Sequence, residues 1–213
     1  HFQAAWAYGY SLERAVADII DNSITANAKN IHIVHHFDNE NSKIAIIDDG
    51  DGMTEEELID GMRLNSKNPL DERNENDLGR FGLGLKTASL SQCETLTVRS
   101  KKNGNDNTRC WDLEFISEQN EYALLKKAPT KDGDFLLNLL DRNKQGTIVL
   151  WENLNFDFKS DEEVSNKESF QRFIDLIIQY NQVIFHRFLG IESDVKICIS
   201  NYDNYDSPIF LKG

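Results

Sequence analysis

Between Ser11 and Ala28 the chain reads SLERAVADIIDNSITANA, and the rest of the sequence is organised around this stretch. At 3.6 residues per turn, Val16, Ile19, Ile20 and Ile24 fall on one stripe of a helix. Asp18, Asp21, Asn22 and Thr25 fall on the opposite stripe. Asp18 and Asn22 stand four apart, so their side chains sit one turn above each other on the polar face. A carboxylate and an amide stacked in this way suit one small site, with the amide oxygen for a hard cation and the carboxylate for a water. A surface helix with a solvated face has the same pattern, and the helix alone does not choose between the two.

A chain of 213 residues holds one well-packed domain, with room for a short appendage. Apolar content of 39% and charged content of 28% describe an ordinary soluble globular protein. No apolar run reaches membrane-spanning length, and the opening HFQAAWAYGY has no signal-peptide pattern. The chain opens on His1 rather than Met, which reads as a fragment of a longer protein. Cys93, Cys110 and Cys198 are scattered without metal-ligand spacing, as expected of reduced thiols in a cytoplasmic protein. A net charge of -13 excludes a general basic surface for nucleic acid. An anionic ligand must then be held by local devices: a helix N-terminus, a few cations or a bound metal.

Along the chain, Tyr8-Gly9-Tyr10 turns into the first helix with Ser11 as N-cap. IHIVHHF (Ile31 to Phe37) and KIAIID (Lys43 to Asp48) read as a hairpin. Thr54 with Glu57 three residues on predicts a capping box opening a short helix. Asn65 to Asp77 is a polar, proline-bearing loop, after which LGRFGLGLKTASL passes from a glycine-rich turn into a helix. TLTVRS, TRCWDLEF and EYALLKKA read as a three-stranded meander, its first two strands joined by the turn KNGNDN. Gly146 to Trp151 is a further strand, Ser169 to Leu189 a long helix, and Val195 to Ile199 a last strand. Trp6, Trp111 and Trp151 read as core or interface residues. His35 and His36 are adjacent on a strand and must face opposite ways, so they form no metal site. The pattern predicts an α+β two-layer sandwich: a mixed, mostly antiparallel sheet with helices on one face.

Two glycine-bearing segments carry chemistry. Asp48-Asp49-Gly50-Asp51-Gly52 directly follows a strand, where glycines allow a tight turn and the approach of a flat ligand. Asp48 at the strand end can accept a hydrogen bond from an exocyclic amine, and Met53 can pack on a ring. A calcium loop fails, because its first and twelfth positions would be Ile47 and Leu58. A plain acidic turn stays open. The second segment, Gly79-Arg80-Phe81-Gly82-Leu83-Gly84-Leu85-Lys86-Thr87, enters a helix whose free N–H groups and dipole suit phosphate oxygens, assisted by Arg80 and Lys86. It is neither a Walker loop, since Leu85 intervenes before Lys86-Thr87, nor a dinucleotide fingerprint. Taken alone, it is equally a structural turn.

In this order, an acidic/Asn helix, a strand-end DxGxG, a GxxGxG helix start and a later Gly146-Thr147 resemble the nucleotide-binding domain of the GHKL superfamily (DNA gyrase B, Hsp90, histidine kinases, MutL), the Bergerat fold. The N-box is then Asp18-Ile19-Ile20-Asp21-Asn22 with Ala26. The likeness runs from about Tyr8 to Trp151. The local wording AVADIIDNSITANA, Ser66-Lys67 and GRFGLGLKTAS is similar to MORC-type ATPases and their bacterial relatives.

The resemblance implies ATP and Mg²⁺ as ligands. Asn22 holds the metal, Asp48 the adenine amino group, and Thr147 assists through a water. Gly50, Gly52 and Met53 line the base pocket. Gly79, Arg80, Phe81, Gly82, Leu83, Gly84, Leu85 and Lys86 surround the phosphates. Asp18 stands where hydrolysing relatives place a glutamate that orients water. One methylene shorter, it implies slow hydrolysis. Residues 1–190 form the ATP-binding domain with a lid at about 64–80, and 191–213 a last strand and the entry to a second domain or linker. Nucleotide-dependent homodimerisation is implied, with DNA reached through other segments and no membrane partner. A histidine-kinase catalytic domain and a non-hydrolysing nucleotide sensor or scaffold are the alternatives.

Overall fold

The computed structural model describes residues 11–63, 85–86, 88–120, 122–155, 165–190 and 193–213. Helix α1 (Leu12–Thr25) is followed by strands β1 (Asn30–His36) and β2 (Lys43–Asp48), then helix α2 (Glu55–Met62). Strands β3 (Cys93–Lys102) and β4 (Asn105–Asp112) come next, then short helices α3 (Leu113–Gln119) and α4 (Lys131–Leu137). Strand β5 (Gly146–Leu154), the long helix α5 (Asn166–Ile184) and strands β6 (Lys196–Asn201) and β7 (Ile209–Phe210) complete the chain.

The strands of the described residues join one seven-stranded sheet in the order β4-β3-β5-β2-β1-β6-β7. Among them only the β1–β6 pair is parallel; the other neighbours are antiparallel. The expected α+β sandwich with a mixed, mostly antiparallel sheet is therefore present. The β1–β2 hairpin is as read, with Ile31 opposite Asp48 and His36 opposite Lys43. Between β3 and β4 the turn narrows to Asn103 and Gly104, both at positive φ, as a tight two-residue hairpin requires.

Strand alternation divides the core in two. Ile31 and Ile33 of β1, Ile44 and Ile46 of β2, Leu96 and Val98 of β3, and Val149 and Trp151 of β5 face the helical layer. There they meet Val16, Ile19 and Ile20 of α1 and Phe170, Ile174 and Ile177 of α5. Val34, Ala45, Ile47, Ile148 and Leu150 face the other way, under Leu136 and Leu137 of α4. His35 and His36 obey the same alternation, with rings 5.9 Å from Phe170 and from Tyr202 respectively. Trp111 and Trp151 are buried, as expected of core residues; Trp6 lies outside the described residues.

Among the described residues the third meander strand is not formed. Of the described part of EYALLKKA, residues 122–128, only Leu125 bridges a strand, exchanging both backbone hydrogen bonds with Cys110 at 2.8 and 2.9 Å. TRCWDLEF likewise stays extended only to Asp112, whose carboxylate accepts the Phe115 N–H at 3.1 Å and caps α3. Leu113 and Phe115, strand-like by composition, thus lie in a helix that this capping residue opens. Asp112→Ala is expected to lower stability by about 1 kcal/mol, read as a shift of the urea midpoint with unchanged slope.

The long helix begins at Asn166, where Ser165 and Glu168 form a capping box, and it ends at Ile184 rather than Leu189. His186 lies just beyond, its Nδ1 2.9 Å from the Val183 carbonyl, at the helix end. Among the described residues no helix is long and apolar enough to cross a membrane.

Candidate nucleotide site

Helix α1 buries Leu12, Ala15, Val16, Ile19 and Ile20 against the sheet and turns Asp18 and Asn22 to its half-buried shoulder. Neither polar side chain makes a hydrogen bond to another described residue. Ser11 occupies the N-cap position in extended conformation without a side-chain cap bond. At the other end the helix stops on Asn27, whose φ of 63° is left-handed.

That helix end is pinned to the loop after β2. The Asp51 N–H donates to the Ala26 carbonyl at 2.8 Å, and Asn27 Nδ2 to Asp51 Oδ2 at 2.7 Å. Asp49 accepts from Lys29 N, Asn30 N and Asn30 Nδ2 at 2.6 to 2.8 Å. Burial works against its charge, but these donors outweigh it and hold the Asp49 carboxyl below the usual carboxylate range. Asp49 is therefore a brace for the loop, leaving Asp48 as the inward-facing carboxylate.

Asp48 is almost wholly buried at the end of β2. Its Oδ1 accepts from Gly50 N at 2.9 Å and from Thr147 N at 3.1 Å, and its Oδ2 lies 2.9 Å from Ser23 Oγ. Burial pushes its pKa up to about 6, against the pull of these three donors. Three separated segments thus meet on one side chain: Ser23 comes from α1 beside Asn22, Gly50 from the β2 loop, and Thr147 from the start of β5. Asn143 Nδ2 adds a bond to the Asp48 main-chain oxygen at 3.1 Å.

The glycines here serve close backbone approach. A Cβ on Gly50 would lie 2.6 Å from the Ala26 carbonyl oxygen. One on Gly52, at φ +67°, would lie 2.1 Å from the Lys101 oxygen. Flat-ligand access was the reading from sequence; the packing of protein main chain on main chain is the reason these described positions require glycine. Beyond the loop, Thr54 and Glu57 form the expected capping box on α2. Met53 is half-buried, and its N–H donates to Ser100 Oγ at 2.8 Å.

Lys86 is buried, its Nζ donating to the Arg63 carbonyl, and burial lowers its pKa. Leu85 packs into the main core beneath the helical layer. Gly79, Arg80, Phe81, Gly82, Leu83 and Gly84, with the segment 64–80 read as a lid, lie outside the described residues.

Sequence reasoning missed Ser23, Ser100 and Asn143. Ser23 was within reach of pattern, because it follows Asn22 on the flank of the apolar stripe. Ser100 becomes visible only through strand register, which sets it opposite Thr147.

Residues 10–147 match the family of histidine kinase-, DNA gyrase B- and HSP90-like ATPases. The chain belongs to this family. Among relatives, it is 33% identical over 102 residues to the chaperone protein HtpG of Bacillus licheniformis, across 44% of this chain and 16% of that protein. It is 29% identical over 155 residues to the DNA mismatch repair protein MutL of Bacillus mycoides, across 71% of this chain and 21% of that one. The chain therefore corresponds to a minor part of these proteins' length. The N-terminal domain of a DNA repair protein shares the fold, with a TM-score of 0.50 at 21% identity over 88% of this chain and 47% of that one. Membership in this ATPase family supports ATP binding by the domain, and it is the level at which the GHKL resemblance holds.

Proposed function

We propose that the chain is a Mg²⁺-dependent ATP-binding domain that hydrolyses ATP slowly to ADP and phosphate within a larger, DNA-linked protein. The observation that carries this reading is the buried Asp48 carboxylate, held by donors from three motif segments at the foot of α1. Its Oδ2 keeps acceptor capacity beside the Ser23 contact, which suits the amino group of adenine. Thr147, buried at its side, and Met53 complete the base pocket, with Gly50 and Gly52 allowing the loop to close on it.

Asn22 fits Mg²⁺. That ion takes one or two protein oxygens and fills its remaining positions with phosphate and water oxygens, and the Asn22 amide is a half-buried oxygen donor without a protein partner among the described residues. When bound, the ion supplies charge neutralisation at the phosphates. Asp18, one turn earlier, orients the attacking water. Its short reach accounts for slow turnover, since a misplacement of about 1 Å costs on the order of a hundredfold in rate. In this reading residues 79–84 hold the triphosphate, 64–80 form a lid that closes with nucleotide bound, and closure favours a homodimer. Residues 1–190 are the body of the nucleotide domain, and 191–213 supply the last strands of its sheet, β6 and β7, and lead to a following domain or linker.

A non-hydrolysing sensor is the second reading, favoured by aspartate at position 18. Incubation with γ-labelled ATP and Mg²⁺ separates the possibilities. Label released as phosphate supports the ATPase, label retained on the protein a histidine-kinase domain, and label left on ATP the sensor. Asp18→Asn is expected to abolish phosphate release while leaving Mg-ATP affinity within about threefold. Asn22→Ala is expected to weaken Mg-ATP binding at least tenfold by titration calorimetry. Equal loss of binding and turnover in the Asp18 variant would count against its assigned role.

A further inference from the structure

We propose that Ser100, acting through Thr147, determines which purine the cleft accepts; this rests on the reading of Asp48 and Thr147 as the base-binding pair. Ser100 is fully buried on β3, directly opposite Thr147 on β5. Its Oγ accepts the Met53 N–H at 2.8 Å and lies 3.2 Å from the Gly146 carbonyl and 2.8 Å from Thr147 Oγ1. A serine hydroxyl has one proton and two acceptor sites. The Met53 N–H occupies one acceptor site. The Gly146 carbonyl can only accept, and assigning it the Ser100 proton makes Thr147 the donor in a contact where either oxygen can donate. The second acceptor site then takes the Thr147 proton. This arrangement satisfies all four groups at once, and a buried polar cluster is held most firmly when every member is satisfied.

The consequence is directional. With its proton drawn back to Ser100, Thr147 shows the cleft lone pairs only. It stands beside Asp48, to whose Oδ1 its own N–H is bound at 3.1 Å. A carboxylate and an acceptor hydroxyl side by side favour a base edge bearing an amino donor, as in adenine. They repel one bearing a carbonyl oxygen, as in hypoxanthine or guanine. Ser100 touches no base in this arrangement; it is a positioning residue. Without it, the Thr147 proton is free to turn into the cleft and serve a carbonyl oxygen.

The test compares the dissociation constants of Mg-ATP and Mg-ITP for the 213-residue chain by titration calorimetry. The native protein is expected to prefer ATP. Ser100→Ala is expected to reduce the preference about tenfold, mainly by tightening ITP, with ATP affinity kept within about threefold. Ser100→Cys, close in volume, gives the same readout should the alanine variant unfold. On a Thr147→Val background, Ser100→Ala is expected to change the ratio less than about twofold, because the two residues act as one unit. A parallel loss for both nucleotides with the ratio unchanged means Ser100 is merely structural, and overturns the proposal. Asp48→Asn is the reference. If it leaves the ATP/ITP ratio intact, the base-pocket reading fails and takes this inference with it. If it shifts the ratio while Ser100→Ala does not, only the role of Ser100 falls.

Discussion

Asp48→Asn is expected to fold, to melt at the same temperature or higher at pH 7.5, and to lose at least a hundredfold in Mg-ATP affinity. An asparagine oxygen at the Oδ1 position keeps the Gly50 and Thr147 N–H bonds. The amide nitrogen then faces Ser23 Oγ, which can accept from it and send its own proton to the Ile19 carbonyl 3.1 Å away. No buried group loses its partner, so the usual penalty for truncating a buried network does not arise. The charge, however, is gone. Burial raises the Asp48 pKa to about 6 from the ordinary 3.8, so the folded state binds its proton more tightly than the unfolded chain does. Stability from that proton is fully present below the unfolded value and is lost as pH rises through about 6. At pH 7.5 the native protein therefore carries an ionised buried carboxylate that the variant lacks, and the two melting curves converge toward pH 4. Binding goes the opposite way, because an amide N–H aimed at an amino donor replaces an acceptor with a clash. In the native protein the same titration predicts that ATP affinity falls about tenfold between pH 7.5 and pH 5, as Asp48 takes up its proton. Calorimetry with a non-hydrolysable ATP analogue and a thermal melt of the same samples check both halves. Undiminished affinity in the variant would remove Asp48 from the base pocket.

The parts of this molecule that were legible in the sequence are those whose pattern is local. The α1 stripe, the β1–β2 hairpin, the Thr54–Glu57 capping box and the strand-end DxGxG each lie within a short contiguous run, and each is found as expected. Asp48 was identifiable because a carboxylate at a strand end followed by glycines is a local signature. Its partners were not. Ser23 reaches it across the gap between two elements, and Ser100 meets Thr147 only because β3 and β5 pair in one register. Residues 113–115 and 121–128 misled for a related reason. Their apolar content fits a strand, but a single aspartate cap and a single bridge at Leu125 decide otherwise. Helix α4 escaped notice because Gly133 sits within it, where the Gly133 N–H bonds the Thr130 hydroxyl at 2.9 Å and a Cβ would press on the Glu152 carboxylate.

The second large effect is expected at Gly146, where fold and site share an atom pair. Gly146 has φ +130°, and a Cβ there would lie 2.0 Å from the Asp48 carbonyl oxygen, 2.9 Å from its carbon and 3.0 Å from the Asp49 Cα. All three are backbone atoms at the end of β2, so no side chain can swing aside. Gly146→Ala must separate the start of β5 from the end of β2, and that movement draws the Thr147 N–H from Asp48 Oδ1 and Asn143 Nδ2 from the Asp48 oxygen. Strained backbone, lost hydrogen bonds and a displaced strand together cost at least about 3 kcal/mol, a fall of roughly 6–12 °C in melting temperature for a chain of this size. Gly104→Ala isolates the conformational part. Its φ is +79°, but nothing lies within 4 Å of a Cβ built there, so it is expected to cost only about 1–2 kcal/mol and to leave ATP binding unchanged. Gly61→Ala, inside α2 with open space around it, is expected to stabilise by about 0.5–1 kcal/mol. If close approach is what demands glycine at position 146, the three substitutions rank in that order, and only the first also weakens ATP binding. Equal costs at Gly146 and Gly104 would show instead that backbone conformation, and not the contact between β5 and the Asp48 carbonyl, sets the requirement.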